Sequence, residues 1–118
     1  MAQWLRPRLP EDTLVLASPA RRAQQTAQAL TPDFTTVKEI GAAAAPEEML
    51  RACGWPGDRR AVVVVGHQPT LGEVAALLMT GVKRQWSLKK GALIWLTARE
   101  RGVIPGVHLR AAISPDFL

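Results

Sequence analysis

Residues 61–65 read Ala-Val-Val-Val-Val, and the chain then breaks into Gly66-His67-Gln68-Pro69. Four consecutive β-branched residues disfavour a helix and suit a strand. A run with no polar alternate position implies packing on both faces, as in a parallel sheet covered by helices. A second apolar run, Thr13–Ala17, ends in the same way, in Ser18-Pro19. Here Ser18 predicts an N-cap and Pro19 the first position of a helix. Ala20, Ala23, Ala27 and Leu30 then recur at helical spacing, until Thr31-Pro32 stops them. After His67, Thr70 and Glu73 read as a capping box. Leu71, Val74, Ala75 and Leu78 supply the predicted buried face, and Gly81 the C-terminal stop.

The rest of the chain repeats this alternation. Met1–Leu5 reads as a helical end closed by the prolines of "RPRLPED", Thr35–Ile40 as a partly exposed strand, and Pro46–Cys53 as a short helix. "GWPGDRR" reads as a turn. Ala92–Leu96 and Val107–Ile113 read as two last strands separated by the turn-rich "ARERGVIPG". Alternating strands and helices predict a layered α/β domain with a mostly parallel sheet. With 118 residues and no repeat or linker, one domain is expected over 1–118. No apolar stretch approaches the roughly 20 residues of a membrane helix, and "MAQWLRPRLPEDT" lacks a signal-peptide core. A cytoplasmic protein without membrane partners is expected, and the single Cys53 suits a reducing compartment.

Net charge is +5, and eleven of the fifteen basic residues are arginine. Arginine's planar fork suits phosphate and carboxylate, which directs attention to anionic ligands. A nucleic-acid binder is disfavoured, because the arginines are scattered and no groove-reading motif or aromatic platform occurs. Position is more informative. Open parallel sheets bind ligands beyond the carboxyl ends of their strands. Both strand-to-helix junctions carry polar groups there: Arg21 and Arg22 after the first, His67 after the second. Cations in a helix's first turn oppose its dipole by roughly 0.3–1 kcal/mol each, and an anion held between them and the helix end reverses the sign. His108, between Val107 and Leu109, reads as structural. Cys53, His67 and His108 lack metal-ligand spacing, and no phosphate-cradling glycine loop or dinucleotide fingerprint occurs, so neither metal nor cofactor is expected.

The segments "SPARRAQQTAQAL" and "VVVVGHQPTLGEVAALL" resemble two signature segments of the histidine phosphatase superfamily, S-P-x-x-R-A-x-Q-T and strand–G-H-x-P–helix. "LKKGALIWL" is similar to the late strand of its small single-domain branch, the bacterial phosphohistidine phosphatases, and the likeness runs from Met1 to the end. The resemblance implies a three-layer α/β/α fold. It also implies a phosphate pocket made of a nucleophilic His and an Arg from an Arg-His-Gly motif, a second Arg and a second His. By motif position Arg22 is the second Arg and His67 the second His. Such a pocket stabilises the charge that develops on a transferring phosphoryl group. The implied ligands are a phosphorylated protein or small phosphoester, and free phosphate or sulfate.

The chain departs from that pattern in one respect: it contains no Arg-His-Gly. On the resemblance, the family's first strand and nucleophile would lie before Met1, and "MAQWLRPRLP" is similar to the tail of its first helix. That strand is central, so a fold missing its first strand has an open edge mid-sheet. Two explanations follow: a fragment of a longer phosphatase, or a short form that closes the gap by exchange in a homodimer. The 118 residues alone are expected not to turn over phosphohistidine. A phosphate-binding module without catalysis is the alternative function.

Overall fold

The computed structural model describes residues 1–54, 60–99 and 106–118. In chain order the elements are α1 (Ala2–Leu5), β1 (Leu14–Ala17), α2 (Arg21–Leu30), β2 (Thr35–Thr36), α3 (Pro46–Cys53), β3 (Val62–Val65), α4 (Thr70–Thr80), β4 (Leu93–Arg99) and β5 (Gly106–Ile113). Single 3-10 turns lie at Arg6–Arg8, Lys38–Ile40 and Pro115–Phe117. Most of the predicted turn "GWPGDRR" (residues 55–59) and most of the link between the last two strands lie outside the described residues.

Two sheets form. β1 sits between β2 and β3, parallel to both, with Val15 opposite Val63 and Ala17 opposite Val65. β4 and β5 make a separate antiparallel ribbon with an irregularity between Trp95 and Leu96. The expectation of a mostly parallel sheet therefore holds for the first three strands. The last two pair only with each other among the described residues.

Strand alternation divides the core into two faces. On one, Val15 and Ala17 pack with Leu5, Ala27 and Leu30, and Val63, Val65, Leu93 and Trp95 lean against them. On the other, Leu16 packs with Ile40 and Met49, joined by Val62, Val64, Leu71 and Val74. α1 and α2 thus cover one face, and α3 and α4 the other. Both faces of β3 are packed, as its valine run predicts, yet all four valines stay only partly buried. The exposure comes from the side: β3 has β1 along one edge and no strand along the other among the described residues. A cavity of about 730 Å³ lies there, between Val62–Val64 and Leu93–Ala98.

Local boundaries differ from the sequence expectation in four places. β2 is two residues long, and Lys38–Ile40 turns into a 3-10 turn that buries Ile40 completely. α2 begins at Arg21 with Ala20 at its N-cap, because the Ser18 hydroxyl accepts from the Ala20 N–H at 3.1 Å in a tight turn instead of capping the helix. Thr70 is the first residue of α4, not its cap, and its hydroxyl donates to the Ala44 carbonyl at 2.8 Å. Finally, the most buried side of α4 is small: Gly72, Ala75 and Ala76 are buried, whereas Leu71, Val74 and Leu78 are partly so. A Cβ at Gly72 would stand 1.8 Å from the Trp86 carbonyl oxygen, so the close approach of residue 86 requires glycine. Gly81 does end α4, in the left-handed conformation.

Candidate functional site

The parallel pairing of β1 with β3 decides where the two junctions go. The Ser18 N–H donates to the Val65 carbonyl at 3.0 Å, one rung beyond the last paired residues. Both turns therefore leave the sheet at the same edge, at the carboxyl ends of adjacent strands. Ser18 joins them a second time: its side-chain oxygen lies 2.7 Å from Nε2 of His67.

Ser18 is fully buried. Its oxygen accepts from the Ala20 N–H, and no buried side-chain polar atom among the described residues lacks a partner. The hydroxyl is both a donor and a twofold acceptor, so the pair with Nε2 holds the ring in either tautomer and leaves Nδ1 as the nitrogen not bound to Ser18. His67 itself is half-buried. Below it, the Gln24 side-chain amide donates to the Ser18 carbonyl at 2.8 Å and to the Thr36 hydroxyl at 3.0 Å, tying α2 to the ends of β1 and β2. Gln68 steadies the other turn. Its carbonyl oxygen accepts from the Gly72 N–H at 2.8 Å, and its amide donates to the Trp86 carbonyl at 3.0 Å. Gln68 thus does the work predicted for Thr70, occupying a free N–H of the first turn of α4.

The arginines separate by environment. Arg6 donates to the Leu30 carbonyl at 3.1 Å and to Ala29, closing the C-terminal end of α2. Arg8 lies over the Trp4 ring at 4.2 Å, and Arg110 over Trp95 at 4.6 Å. Arg60 donates to the Asp12 carbonyl at 3.2 Å. Arg6, Arg60 and Arg110 each tie two segments together, and Arg8 ties its own turn to α1. Arg21 and Arg22 do not. They open α2, are exposed, and have no acidic residue or side-chain cap in that first turn. Neither guanidinium has a hydrogen-bond or ion-pair partner among the described residues.

Of the two predicted site residues, Arg22 therefore starts the helix after β1, and His67 follows β3, at one edge of one sheet. They make no hydrogen bond to each other; the ring of His67 is held by Ser18. The sequence reading missed Ser18, Gln24 and Gln68 as supports. Ser18 could have been noticed as a small polar residue directly at a strand end, although its partner is remote in sequence. His108 is exposed on β5, opposite Thr97. Lys89 forms a 3.7 Å ion pair with Asp116 at the surface.

No protein-family model and no curated protein sequence matches the chain. Solved structures do. A protein histidine phosphatase SixA complexed with tungstate superposes with a TM-score of 0.72 and 23% identity, over 98% of this chain and 77% of that one. A protein of Nakamurella multipartitia assigned as phosphohistidine phosphatase SixA matches at a TM-score of 0.56 and 32% identity, covering 66% of this chain and 46% of that one. A third, from Agrobacterium tumefaciens and assigned likewise, gives 0.55 and 28%, with 65% and 52% covered. This chain thus spans about half the length of two of these relatives. In fold, it matches the SixA phosphohistidine phosphatases of the histidine phosphatase superfamily.

Proposed function

We propose that this chain is the phosphate-binding part of a phosphohistidine phosphatase-type hydrolase, with Arg22 and His67 as the groups that hold the phosphoryl oxygens. The observation that carries the reading is the Ser18–His67 hydrogen bond. It draws the turn after β3 onto the turn after β1, and that turn leads into α2, whose first two residues, Arg21 and Arg22, have no side-chain partner among the described residues. A tetrahedral dianion supplies what that corner lacks. The Arg22 fork takes two oxygens, the free N–H groups of α2 and the Arg21 charge add to the field, and the His67 nitrogen not held by Ser18 donates to a further oxygen. Charge-assisted bonds of this kind stabilise the charge spread over the equatorial oxygens of a transferring phosphoryl group.

Hydrolysis by the family's route also needs an unprotonated imidazole in line with the leaving oxygen. These residues provide none: His108 lies on the exposed part of β5, and Arg-His-Gly does not occur. The reading is therefore of binding by the 118 residues without turnover, the sheet of the parent fold missing its first strand. That a SixA structure holds tungstate, an analogue of phosphate, supports the choice of ligand. The substrates that fit are phosphohistidine proteins or small phosphomonoesters. Calorimetry of the pure chain with phosphate and with tungstate tests the proposal. Binding weakened in both Arg22→Ala and His67→Ala, with no release of phosphate from phosphohistidine, is expected. Hydrolysis abolished by His67→Ala, or anion binding indifferent to both substitutions, would refute it.

A further inference from the structure

We infer that residues 82–90, laid against the first turn of α4, are a docking surface for acidic residues of a phosphorylated protein. Lys83, Arg84 and Lys90 then select the substrate whose phosphoryl group enters the corner at Arg22 and His67. This selection rests on the phosphate reading above and adds what surrounds the phosphorylated residue.

Charge is the first observation. Residues 82–90 read Val-Lys-Arg-Gln-Trp-Ser-Leu-Lys-Lys, four cations and no anion in a chain whose whole excess is +5. All four cations are exposed. Lys83, Arg84 and Lys90 have no hydrogen-bond or ion-pair partner among the described residues. Lys89 meets Asp116 at 3.7 Å, with both side chains more than half exposed. On the elements that touch the segment, the carboxylates are Glu73 in the first turn of α4 and Asp116, two against four.

Anchoring is the second. A basic loop loose in water holds its charges in no fixed arrangement, whereas this one is fastened at two points. The Gln68 amide donates to the Trp86 carbonyl at 3.0 Å, and that carbonyl lies against Gly72, where only glycine leaves it room. Farther on, the Ala92 N–H donates to the Lys89 carbonyl at 2.9 Å, and Gly91 turns in the left-handed conformation beside Pro115. Cations already ordered lose less entropy when a partner binds.

Position is the third. The anchor for Trp86 is the residue directly after His67, at the carboxyl edge of the sheet. Each of the four cations is within four residues of Trp86, so its Cα stands within about 15 Å of that point. An extended peptide advances roughly 3.4 Å per residue, so carboxylates two to four positions from a phosphorylated residue fall within the same reach. Nucleic acid fits less well. Its phosphodiesters are monoanionic where the Arg22–His67 corner suits a dianion, and it favours aromatic platforms, of which this segment offers one half-buried tryptophan.

The test uses the intact 118-residue chain and four ligands. These are tungstate, a short peptide with a phosphonate in place of phosphohistidine and four flanking glutamates, the same peptide with glutamines instead, and a single-stranded RNA of equal charge. By calorimetry at low salt we expect the glutamate peptide to bind about tenfold tighter than the glutamine peptide, roughly twofold for each exposed charge pair. At high salt the advantage should shrink below about threefold. The combined substitution Lys83→Gln, Arg84→Gln and Lys90→Gln should reduce it below about twofold at low salt, while tungstate binding, the control for an intact fold, stays within about twofold of the parent chain. Equal binding of the two peptides by a chain that takes tungstate overturns the docking surface and leaves the phosphate reading standing. A preference that survives the triple substitution also overturns it, since other groups then select the peptide. RNA bound more tightly than the glutamate peptide overturns it in favour of nucleic acid. A parent chain that binds no tungstate refutes the phosphate reading and this selection with it.

Discussion

β1 and β3 are adjacent, parallel and of similar composition, yet they sit in different surroundings. Val15 and Val63 occupy the same rung and face the same layer of the core. Val15 is 4% exposed, while Val63 remains partly open. The residues do not account for the contrast, because β3 is the more uniformly β-branched of the two. Its cause is the number of strand neighbours, two for β1 and one for β3 among the described residues. A strand's faces are covered by layers above and below, but its edges are covered only by other strands. Hydrophobicity therefore reports how a strand expects to be buried, and topology reports how far that is achieved.

The sharpest test of this contrast is to truncate the two valines separately. Val15→Ala should cost about 2–3 kcal/mol in urea denaturation, and Val63→Ala about 1 kcal/mol, because burial and the cavity left behind both scale with how enclosed the side chain is. Equal losses would mean that β3 is as enclosed in solution as β1. Next in size is Gly72→Ala, where a methyl group would have to displace the backbone of residue 86. A loss of about 2 kcal/mol is expected in the same measurement. A neutral result would show that the segment after α4 is free to move away.

Smaller effects are expected at the carboxyl edge, where the two strands hand over to α2 and α4. Arg22→Ala should weaken tungstate binding about tenfold, the loss of one charge-assisted contact, with little change in stability because the side chain is exposed. Calorimetry and a denaturation curve on the same sample separate the two. Ser18→Ala should weaken anion binding less, about threefold to fivefold, by releasing the His67 ring while leaving both ligating side chains in place. Ser18→Thr, which retains the hydroxyl, should recover part of that loss. An NMR spectrum of the imidazole nitrogens should show the His67 Nε2 resonance move in the alanine variant and stay near its parent position in the threonine variant.

Much of the local structure was legible in the chain. α3 runs over Pro46–Cys53 as its proline and acidic first turn predict, and Gly81 stops α4. β3 follows from four valines. The strand and helix pattern puts Arg21, Arg22 and His67 at strand-to-helix junctions, the resemblance singles out Arg22 from Arg21, and the structure has all three residues at one sheet edge. The role of each arginine was not legible. Arg6, Arg8 and Arg110 meet carbonyls and tryptophan rings whose positions depend on packing, while Arg21 and Arg22 have no partner among the described residues. Ser18 read as a helix cap, because a serine before a proline has that local preference. Its actual partner is 49 residues away.

The sequence by itself determined most of the strands and helices, the C-terminal stop of α4, and that polar groups would stand at two strand ends. Those properties depend on residues within a few positions of one another, through backbone sterics, capping and side-chain period. Only the tertiary structure decided that the two ends are neighbours, that Ser18 reaches His67, and that among the described residues β4 pairs with β5 and not with the parallel sheet. Hydrogen bonding between strands joins residues by register in space, and no short-range pattern in the chain encodes which edge finds a partner.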